Sequence, residues 1–218
     1  ERYTRWVFAF NETAVRYVIR PAAVAYRDTV PDGLRRPLSN FTSNLNEPFS
    51  AGNHYLQGQV SSGTRSVLRF LINSTIGVLG FFDVAAAAGL ERERSDLGLT
   101  LGRWGAPEGG YLVLPFLGPS TLRDTAGRGV SYLTRDYHSV YSGLDADDTE
   151  RYLMTAFSGL DQRVSLLSLD ELIEDSGTDP YIFVRESYLQ NRRQRLGEDE
   201  WGGWDDDWDD GWDSSGSE

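Results

Sequence analysis

The feature that most constrains this chain is a nearly uncharged stretch from Phe70 to Leu90, in which Asp83 is the only charged residue. A transmembrane helix needs about 20 predominantly apolar residues, and this stretch almost meets that requirement. However, an aspartate near the centre of a spanning helix costs roughly 2.5 to 3.5 kcal/mol. We therefore predict two shorter helices, one that ends near Asn73 to Thr75 and one that begins at Asp83, whose carboxylate caps the first free N–H groups.

Helices of this length can lie in a membrane without crossing it. A second amphipathic segment near the start of the chain places Trp6, Phe10, Ala14 and Tyr17 on one helical face. Aromatic side chains beside arginines suit a helix at the boundary between water and an apolar phase. For both segments, a helix packed on the core of a soluble protein is the alternative, and the patterns alone do not decide between the two.

The composition excludes several kinds of chemistry. All 21 basic residues are arginine and cysteine is absent, so the chain has neither a thiol nucleophile nor the lysine that Schiff bases and phosphate-binding P-loops require. His54 and His138 are the only imidazoles, which leaves little material for a metal site or a histidine-based triad. No G-x-S-x-G motif is present either. We expect no catalytic residue, no metal site and no cofactor.

The charge distribution divides the chain in two. Residues 198–218 hold ten acidic residues and no basic ones, so residues 1–197 carry a net charge of only −2. A nearly neutral body argues against nucleic acid as a partner, since phosphate neutralisation needs a basic surface. We predict one helical domain over 1–197 and a disordered acidic tail over 198–218. The tail has four tryptophans at spacings of three and four, which make it a candidate partner-binding segment: Trp201, Trp204, Trp208 and Trp212.

Capping signals locate several other elements. Ser61 and Ser62 are predicted N-caps of the helix that runs into the uncharged stretch, and Asp96 is predicted to cap the next helix. Asp179 opens the last helix of the body. The run LERER at 90–94 has the alternating charges of a solvated helix end, and we interpret it as plain surface.

Little β structure is predicted. Residues 111–114 are four apolar residues between glycines and a proline, too few for more than an isolated strand or an extended loop. Residues 37–48 instead show helical spacing, with an apolar face formed by Leu38, Phe41 and Leu45. The opposite face of that helix carries amides rather than charges. The chain is therefore predicted to be mainly α.

Several charged residues lie within apolar sequence, and no nucleophile or metal site accounts for them. If they are paired and buried, they hold helices in place. If they face a passage, they provide a polar route for a charged headgroup, because intramembrane charges usually face a water-filled cavity. The residues alone leave both interpretations open. The set is Arg69, Asp83, Arg123, Asp124, Arg185 and Glu186.

The chain resembles the MlaA (VacJ) family of outer-membrane lipoproteins from about Phe8 to Arg192. The motifs that carry this resemblance are Arg20-Pro21 with Ala23 and Tyr26, Asn40-Phe41, Asn44-Leu45, Glu47-Pro48, Leu56-Gln57-Gly58, Arg69-Phe70, Asn73-Ser74, Gly77, Gly80, Asp83, Thr100-Leu101-Gly102, Gly105, Tyr111, Leu114-Pro115, Gly118-Pro119-Ser120, Arg123-Asp124, Asp179-Pro180-Tyr181, Arg185-Glu186, Tyr188 and Arg192. Two features depart from the family: its N-terminal lipidated cysteine is not in this sequence, and the Trp/Asp tail is not one of its motifs.

The resemblance implies a ring of amphipathic helices around a central channel. This ring lies in the inner, periplasmic leaflet of the outer membrane of a Gram-negative bacterium, beside a trimeric porin. The resemblance also implies a non-enzymatic function, in which phospholipids misplaced in the outer leaflet pass through the channel to a soluble periplasmic carrier, MlaC. The alternatives are an interfacial phospholipid hydrolase, which would need His138 next to a serine, and a soluble helical interaction protein.

Two sets of residues follow as site predictions. Glycines are expected to let a loop flex at the mouth of the passage, and these are Gly102, Gly105, Gly109 and Gly110. Polar and charged side chains are expected to line or brace the passage, and these are Asn40, Asn44, Arg69, Asn73, Asp83, Arg123, Asp124 and Arg185.

Overall fold

The structure is a computed structural model that describes residues 2–138, 156–167, 177 and 179–197. The described part is mainly helical, as predicted, with one small sheet. In chain order the helices are α1 (Arg2–Ala14), α2 (Arg20–Thr29), α3 (Asp32–Leu45), α4 (Glu47–Leu56), α5 (Val60–Thr75), α6 (Val84–Ala87), α7 (Leu97–Arg103), α8 (Leu122–His138), α9 (residues 156–167) and α10 (Pro180–Leu196). A π-helical turn, Val15–Ile19, joins α1 to α2.

The uncharged stretch is divided as the sequence predicts. Helix α5 ends at Thr75, and Asp83 caps α6 by accepting a hydrogen bond from the Ala86 N–H at 3.2 Å. The loop between them, residues 76–82, reverses the chain, and we call it the reversed loop. Its Val78 (φ 52°) and Leu79 (φ 58°) lie in the left-handed region that large side chains seldom adopt. Within the described residues, no helix has both the length and the apolar content to cross a bilayer.

Two predictions about helices were wrong. Helix α5 begins at Val60, before Ser61 and Ser62, and no side chain caps it. The reason is a tight turn directly before the helix, in which Gly58 has a φ of 74° and the Gln59 N–H donates to the His54 carbonyl at 2.9 Å. The run at 90–94 is not helical. Its Arg92 is turned inward onto two carboxylates instead of lying on a plain surface.

The two strands form an antiparallel hairpin on α1. Strand β1 (Tyr111–Leu114) pairs with β2 (Gly118–Thr121), with Leu114 opposite Gly118. The amide of Asn11 in α1 closes the tip, because it donates to the Leu114 carbonyl and accepts from the Phe116 N–H, both at 2.9 Å. The four residues over 111–114 therefore form a paired strand rather than an isolated one.

In the part of the chain that the structure describes, buried apolar residues form one small core cluster. The core cluster joins α1, β1 and α10 through Val7, Val113 and Tyr181, with Phe8 and Tyr111 packed against it. Across the described residues, sixteen polar or charged residues are buried against eleven apolar ones. Water-soluble domains usually bury apolar residues and leave charged ones outside. In the described part of this protein, by contrast, more polar and charged residues than apolar ones are buried.

The outer surface carries large apolar side chains. On α1 and the following π-helical turn, Trp6 and Tyr17 are 67% and 73% exposed, whereas Val7 points into the core. The predicted aromatic face of α1 therefore points outward, which favours a helix at an apolar boundary over one packed on a soluble core. Other exposed apolar residues occur in the loop after α5 and at the hairpin, and they include Ile76, Val78, Leu79, Phe82, Phe116 and Leu117. Monomeric soluble proteins rarely expose large contiguous apolar surfaces.

Candidate functional site

A buried charged cluster joins α4, α5 and the segment that follows the uncharged stretch. We call Glu47, Arg69, Asp83 and Arg92 the Arg69 cluster. The Arg69 guanidinium donates from Nε to Glu47 at 2.9 Å, from Nη2 to both oxygens of Asp83 at 2.9 Å, and from Nη1 to the Leu90 carbonyl. Arg92 reaches the same two carboxylates at 3.2 Å each. Two cations thus neutralise two anions at the point where α5, α6 and α4 meet.

Amide groups complete this cluster. Asn73 donates to Asp83 at 3.0 Å and accepts from the Ala85 N–H at 2.9 Å, which attaches the first turn of α6 to α5. Burial alone would raise the pKa of Asp83, but the hydrogen bonds from Asn73 and Arg69 outweigh it and hold that pKa below its usual value. Since Arg69 and Glu47 are only 1% and 2% exposed, they brace the helices from inside.

A second charged cluster lies where α7, α8 and α10 meet. We call Asp96, Asp124, Tyr188 and Arg192 the Arg192 cluster. Arg192 donates to the two oxygens of Asp96 at 2.6 and 2.9 Å and to Asp124 at 2.5 Å. The Tyr188 hydroxyl donates to the other oxygen of Asp124 at 2.6 Å. Asp96 also caps α7 as predicted, by accepting from the Leu99 N–H at 3.0 Å.

Glycines allow these three helices to approach closely. A Cβ placed on Gly98 would lie 2.3 Å from Asp124 Oδ1 and 2.6 Å from Arg192 Nη2. A Cβ on Gly127 of α8 would lie 2.6 Å from the Gly98 nitrogen. Both glycines are therefore required for the contact between α7 and α8 rather than for backbone freedom.

Burial and hydrogen bonding shift the pKa values of the Arg192 cluster. Burial would raise the pKa of Asp124, but the hydrogen bonds from Arg192 and Tyr188 lower it overall. The pKa of Asp96 is likewise below its usual value, because Arg192 outweighs the effect of burial. Burial and the hydrogen bond to Asp124 raise the pKa of Tyr188. Both carboxylates therefore remain charged at neutral pH, paired with a permanently charged guanidinium.

The predicted asparagines lie on the inner face of α3. Asn40 donates to the Phe81 carbonyl at 3.3 Å, and the buried Asn44 donates to the Ser74 hydroxyl at 2.9 Å. A Cβ on Gly80 would lie 2.6 Å from the Cβ of Asn44. These two amides therefore hold the end of α5 and the reversed loop that follows it against α3.

The other predicted residues are distributed more widely. Arg123 lies buried beside Asp124, with 3.7 Å between Nε and Oδ1, and donates to the Ala106 carbonyl at 3.3 Å. Arg185 is partly exposed on α10, 3.7 Å from Glu186 and 5.9 Å from the centre of the Tyr111 ring. Of the predicted residues, Arg69 and Asp83 thus belong to the Arg69 cluster, and Asn73 is hydrogen-bonded to it. Asp124 belongs to the Arg192 cluster, and Arg123 lies beside it.

The predicted mouth glycines do not share one environment. Gly102 lies inside α7, and a Cβ there would come within 2.9 Å of Leu196. Gly105 and Gly110 lie in the loop before the hairpin with nothing within 4 Å of an added Cβ. Gly109 lies in the same loop with a φ of 73°. The tail tryptophans at 201, 204, 208 and 212 lie outside the described residues.

A separate apolar cavity of about 310 Å³ lies on the α3 side of the reversed loop. Its wall includes the stacked rings of Phe41 and Phe81, whose centroids are 5.0 Å apart. It is lined by residues of α2, α3, the reversed loop and α9, namely Tyr26, Leu38, Ser39, Phe41, Thr42, Leu79, Phe81, Phe157, Ser158 and Asp161. Its volume is at the lower end of the range of ligand pockets, about 300 to 1,000 Å³.

The described histidine is not arranged for catalysis. Both ring nitrogens of His54 are engaged, Nδ1 with Gln59 at 2.8 Å and Nε2 with the Glu93 carbonyl at 3.1 Å. Ser120 is hydrogen-bonded to Thr125 at 2.9 Å. The side chain of His138, on which the hydrolase alternative depends, lies outside the described residues.

The sequence pattern did not single out Glu47, Arg92, Asp96, Tyr188 or Arg192 as site residues. Arg192 is 96 positions from Asp96 and 68 from Asp124, so no local spacing connects them. For Glu47 the one usable signal was the family motif Glu47-Pro48.

Comparison with known proteins identifies relatives along most of the chain. The family model of the MlaA lipoprotein matches residues 1–195. The intermembrane phospholipid transport system lipoprotein MlaA of Escherichia coli K12 is 39% identical over 194 residues, which cover 87% of this chain and 74% of that protein. The protein of the same name in Haemophilus influenzae is 31% identical over 197 residues, which cover 88% and 76% of the two chains.

A solved structure agrees with the fold. It comes from work on the structural basis for maintenance of bacterial outer membrane lipid asymmetry, and it matches with a TM-score of 0.76 and 36% identity. The match covers 89% of this chain and 96% of the solved one. Since the sequence model, the named relatives and the structure all agree, this chain belongs to the MlaA lipoprotein family.

Proposed function

We propose that this protein is a passive conduit that removes misplaced phospholipids from the outer leaflet of the bacterial outer membrane. The observation that carries the proposal is the reversed distribution of residues, with paired charges buried and large apolar side chains exposed. A protein immersed in the apolar part of a bilayer needs an apolar outer surface. Its charged residues must then face one another or a hydrated cavity.

The proposed mechanism needs no chemical step. Acyl chains move along apolar walls while the headgroup passes polar groups, and direction comes from binding downstream. The Arg69 cluster and the Arg192 cluster brace the walls, because each joins three segments through buried ion pairs. Asn40 and Asn44 hold the reversed loop in place, and the buried Arg123 braces the wall beside Asp124. Arg185, which is partly exposed, is the charged residue proposed to meet the headgroup.

We also propose the location and partners that the family resemblance implies. The protein lies in the periplasmic leaflet of the outer membrane, next to a trimeric porin, and delivers phospholipid to the periplasmic carrier MlaC. The name of the Escherichia coli relative, which places that protein in an intermembrane phospholipid transport system, supports a downstream acceptor. The Trp/Asp tail is proposed to contact the carrier, and unchanged carrier binding after deletion of residues 199–218 would reject that role.

The test measures phosphatidylethanolamine in the outer leaflet of intact cells that lack their own MlaA, using a membrane-impermeant amine reagent. Expression of this chain with a lipoprotein signal is expected to return labelling to the low level of normal cells. Asp83→Leu and Arg123→Leu are expected to leave labelling high, whereas Arg65→Leu, at a partly exposed position on α5, is expected to restore it. Normal low labelling with both Asp83→Leu and Arg123→Leu would reject the proposed roles of these residues.

A further inference from the structure

We propose that the apolar cavity beside the reversed loop holds one acyl chain of phosphatidylethanolamine, with the lipid phosphate at Arg35. This inference rests on the proposed function and assigns the site at which the protein holds a lipid during transfer.

The cavity is built to accept a hydrocarbon chain. Nearly all of its lining atoms are apolar, and the hydroxyl of Thr42 is already used within α3, where it donates to the Leu38 carbonyl at 3.1 Å. The walls are fixed in advance, since Asn40 holds the Phe81 backbone and the Phe81 ring stacks on Phe41. A preformed apolar site binds without the cost of ordering its walls.

The cavity borders a surface suited to lipid. Leu79 both lines the cavity and is 58% exposed. The adjacent Val78 is also exposed. An acyl chain can therefore pass from the apolar part of the bilayer into the cavity without crossing a polar surface.

Arg35 supplies an unused donor next to this cavity. Its side chain is only 15% exposed, and its Nη2 donates to Asp32. Its Nε is buried without a hydrogen-bond partner in the described structure. Arg35 interacts electrostatically with Tyr26 and Asp161, both of which line the cavity. A partly buried guanidinium with an N–H that is free among the described residues is a preferred partner for phosphate.

The charges around Arg35 favour a zwitterionic headgroup. Asp32 and Asp161 both interact with Arg35, and Arg36 also interacts with Asp32. Two guanidinium groups thus face two carboxylates, so the site has no surplus of cations to favour a headgroup with a net negative charge. An ethanolamine headgroup places its phosphate at Arg35 and its ammonium at Asp161. A glycerol headgroup has no ammonium to offer that carboxylate.

The experiment uses the full chain in lipid nanodiscs that contain phosphatidylethanolamine with a photoreactive diazirine at the end of one acyl chain. After irradiation, adducts are mapped by mass spectrometry. We expect them on cavity residues, including Phe81 and Phe157. Leu38→Trp fills the cavity and is expected to lower these adducts about tenfold, a change equivalent to about 1.4 kcal/mol. Leu34→Trp lies one turn earlier on α3, outside the cavity lining, and is expected to leave them unchanged.

The headgroup assignment is tested with the unaltered chain, so it does not depend on whether a variant folds. Phosphatidylglycerol and diacylglycerol with the same diazirine chain are each expected to give fewer cavity adducts than phosphatidylethanolamine. Arg35→Gln is expected to lower labelling by the ethanolamine lipid but not by diacylglycerol. Arg65→Gln, at a partly exposed position on α5, is the control.

Several results would overturn this inference. Adducts outside the cavity, or equal adducts with Leu38→Trp and Leu34→Trp, would remove the acyl-chain site. Equal labelling by the three lipids would remove the headgroup assignment. Labelling reports on the cavity alone, so cavity adducts in a chain that does not lower outer-leaflet phospholipid would count against the proposed function and not against this site.

Discussion

Replacing Arg69 with leucine tests whether the Arg69 cluster holds α4, α5 and α6 together. The substitution removes four hydrogen bonds, one to Glu47, two to Asp83 and one to the Leu90 carbonyl. It leaves the carboxylate of Glu47 buried. Among the described residues, Oε2 already lacks a partner and Arg92, at 3.2 Å, is the ion-pair partner that remains. Breaking a buried pair from one side typically costs about 3 to 5 kcal/mol.

We place the expected loss at the lower end, about 3 kcal/mol, because Arg92 still neutralises part of the remaining charge. For a chain of this size, 1 kcal/mol lowers the melting temperature by roughly 2 to 4 °C. The midpoint should therefore fall by about 6 to 12 °C. The assay is thermal unfolding in detergent micelles, followed by circular dichroism at the helical band.

Two further variants make the result specific. Arg65→Leu removes an arginine one turn earlier on α5, 40% exposed and 3.7 Å from Glu93, so it should cost no more than about 1 kcal/mol. The double variant Glu47→Met, Arg69→Met replaces the buried pair with apolar side chains and should recover part of the loss. Equal losses for Arg69→Leu and Arg65→Leu, or no recovery in the double variant, would refute the reasoning.

Three other predictions concern the Arg192 cluster and its surroundings. The lowered pKa of Asp124 stabilises the folded state above the ordinary carboxyl pKa of about 4, and this contribution disappears as the pH falls through the lower folded value. The melting temperature should therefore change little from pH 7 to 5 and fall below pH 4, and the fall should be smaller in Asp124→Asn. Tyr188→Phe should cost about 1.5 to 3 kcal/mol of folding free energy, because it removes a hydrogen bond to a charged group. Tyr111→Phe should be neutral or stabilising, because the Tyr111 hydroxyl is buried without a partner in the described structure. Urea unfolding measures both variants, and the reverse order of their effects would contradict this prediction. Gly98→Ala should destabilise the fold, because the added Cβ clashes with Asp124 and Arg192. Gly52→Ala, which has open space around it in α4, should stabilise the fold by roughly 0.5 to 1 kcal/mol. Equal melting temperatures for the two variants would refute the close contact at Gly98.

Local features of the fold could be predicted from the sequence. The division of the uncharged stretch follows from one charge in apolar surroundings, and the caps at Asp83, Asp96 and Asp179 all accept the expected backbone hydrogen bonds. Each of these features depends on residues within a few positions of one another. The wrong cap at Ser61 and Ser62 shows the limit of this approach, because the turn at Gly58 makes the helix begin at Val60, before either serine.

The clusters and the cavity could not be predicted, because they depend on which distant segments meet. Arg192 has no neighbour in sequence that indicates Asp96 or Asp124 as its partner. Arg92 lies in alternating charged sequence that is typical of solvated surface, yet the fold turns it onto Glu47 and Asp83. Whether an embedded charge braces or lines a passage is likewise set by the packing around it.

The central claim is that the exposed apolar residues lie in lipid while the charged clusters stay inside the protein. The chain has no cysteine, so single cysteines can carry a fluorescent probe at Ile76, Phe82 or Phe116 and, as controls, at exposed Asp28 or Glu91. In vesicles whose lipids bear nitroxide quenchers on their acyl chains, strong quenching is predicted at the three apolar positions and little at the two acidic ones. Equally weak quenching at all five positions would contradict the account, because the apolar surface would then face water.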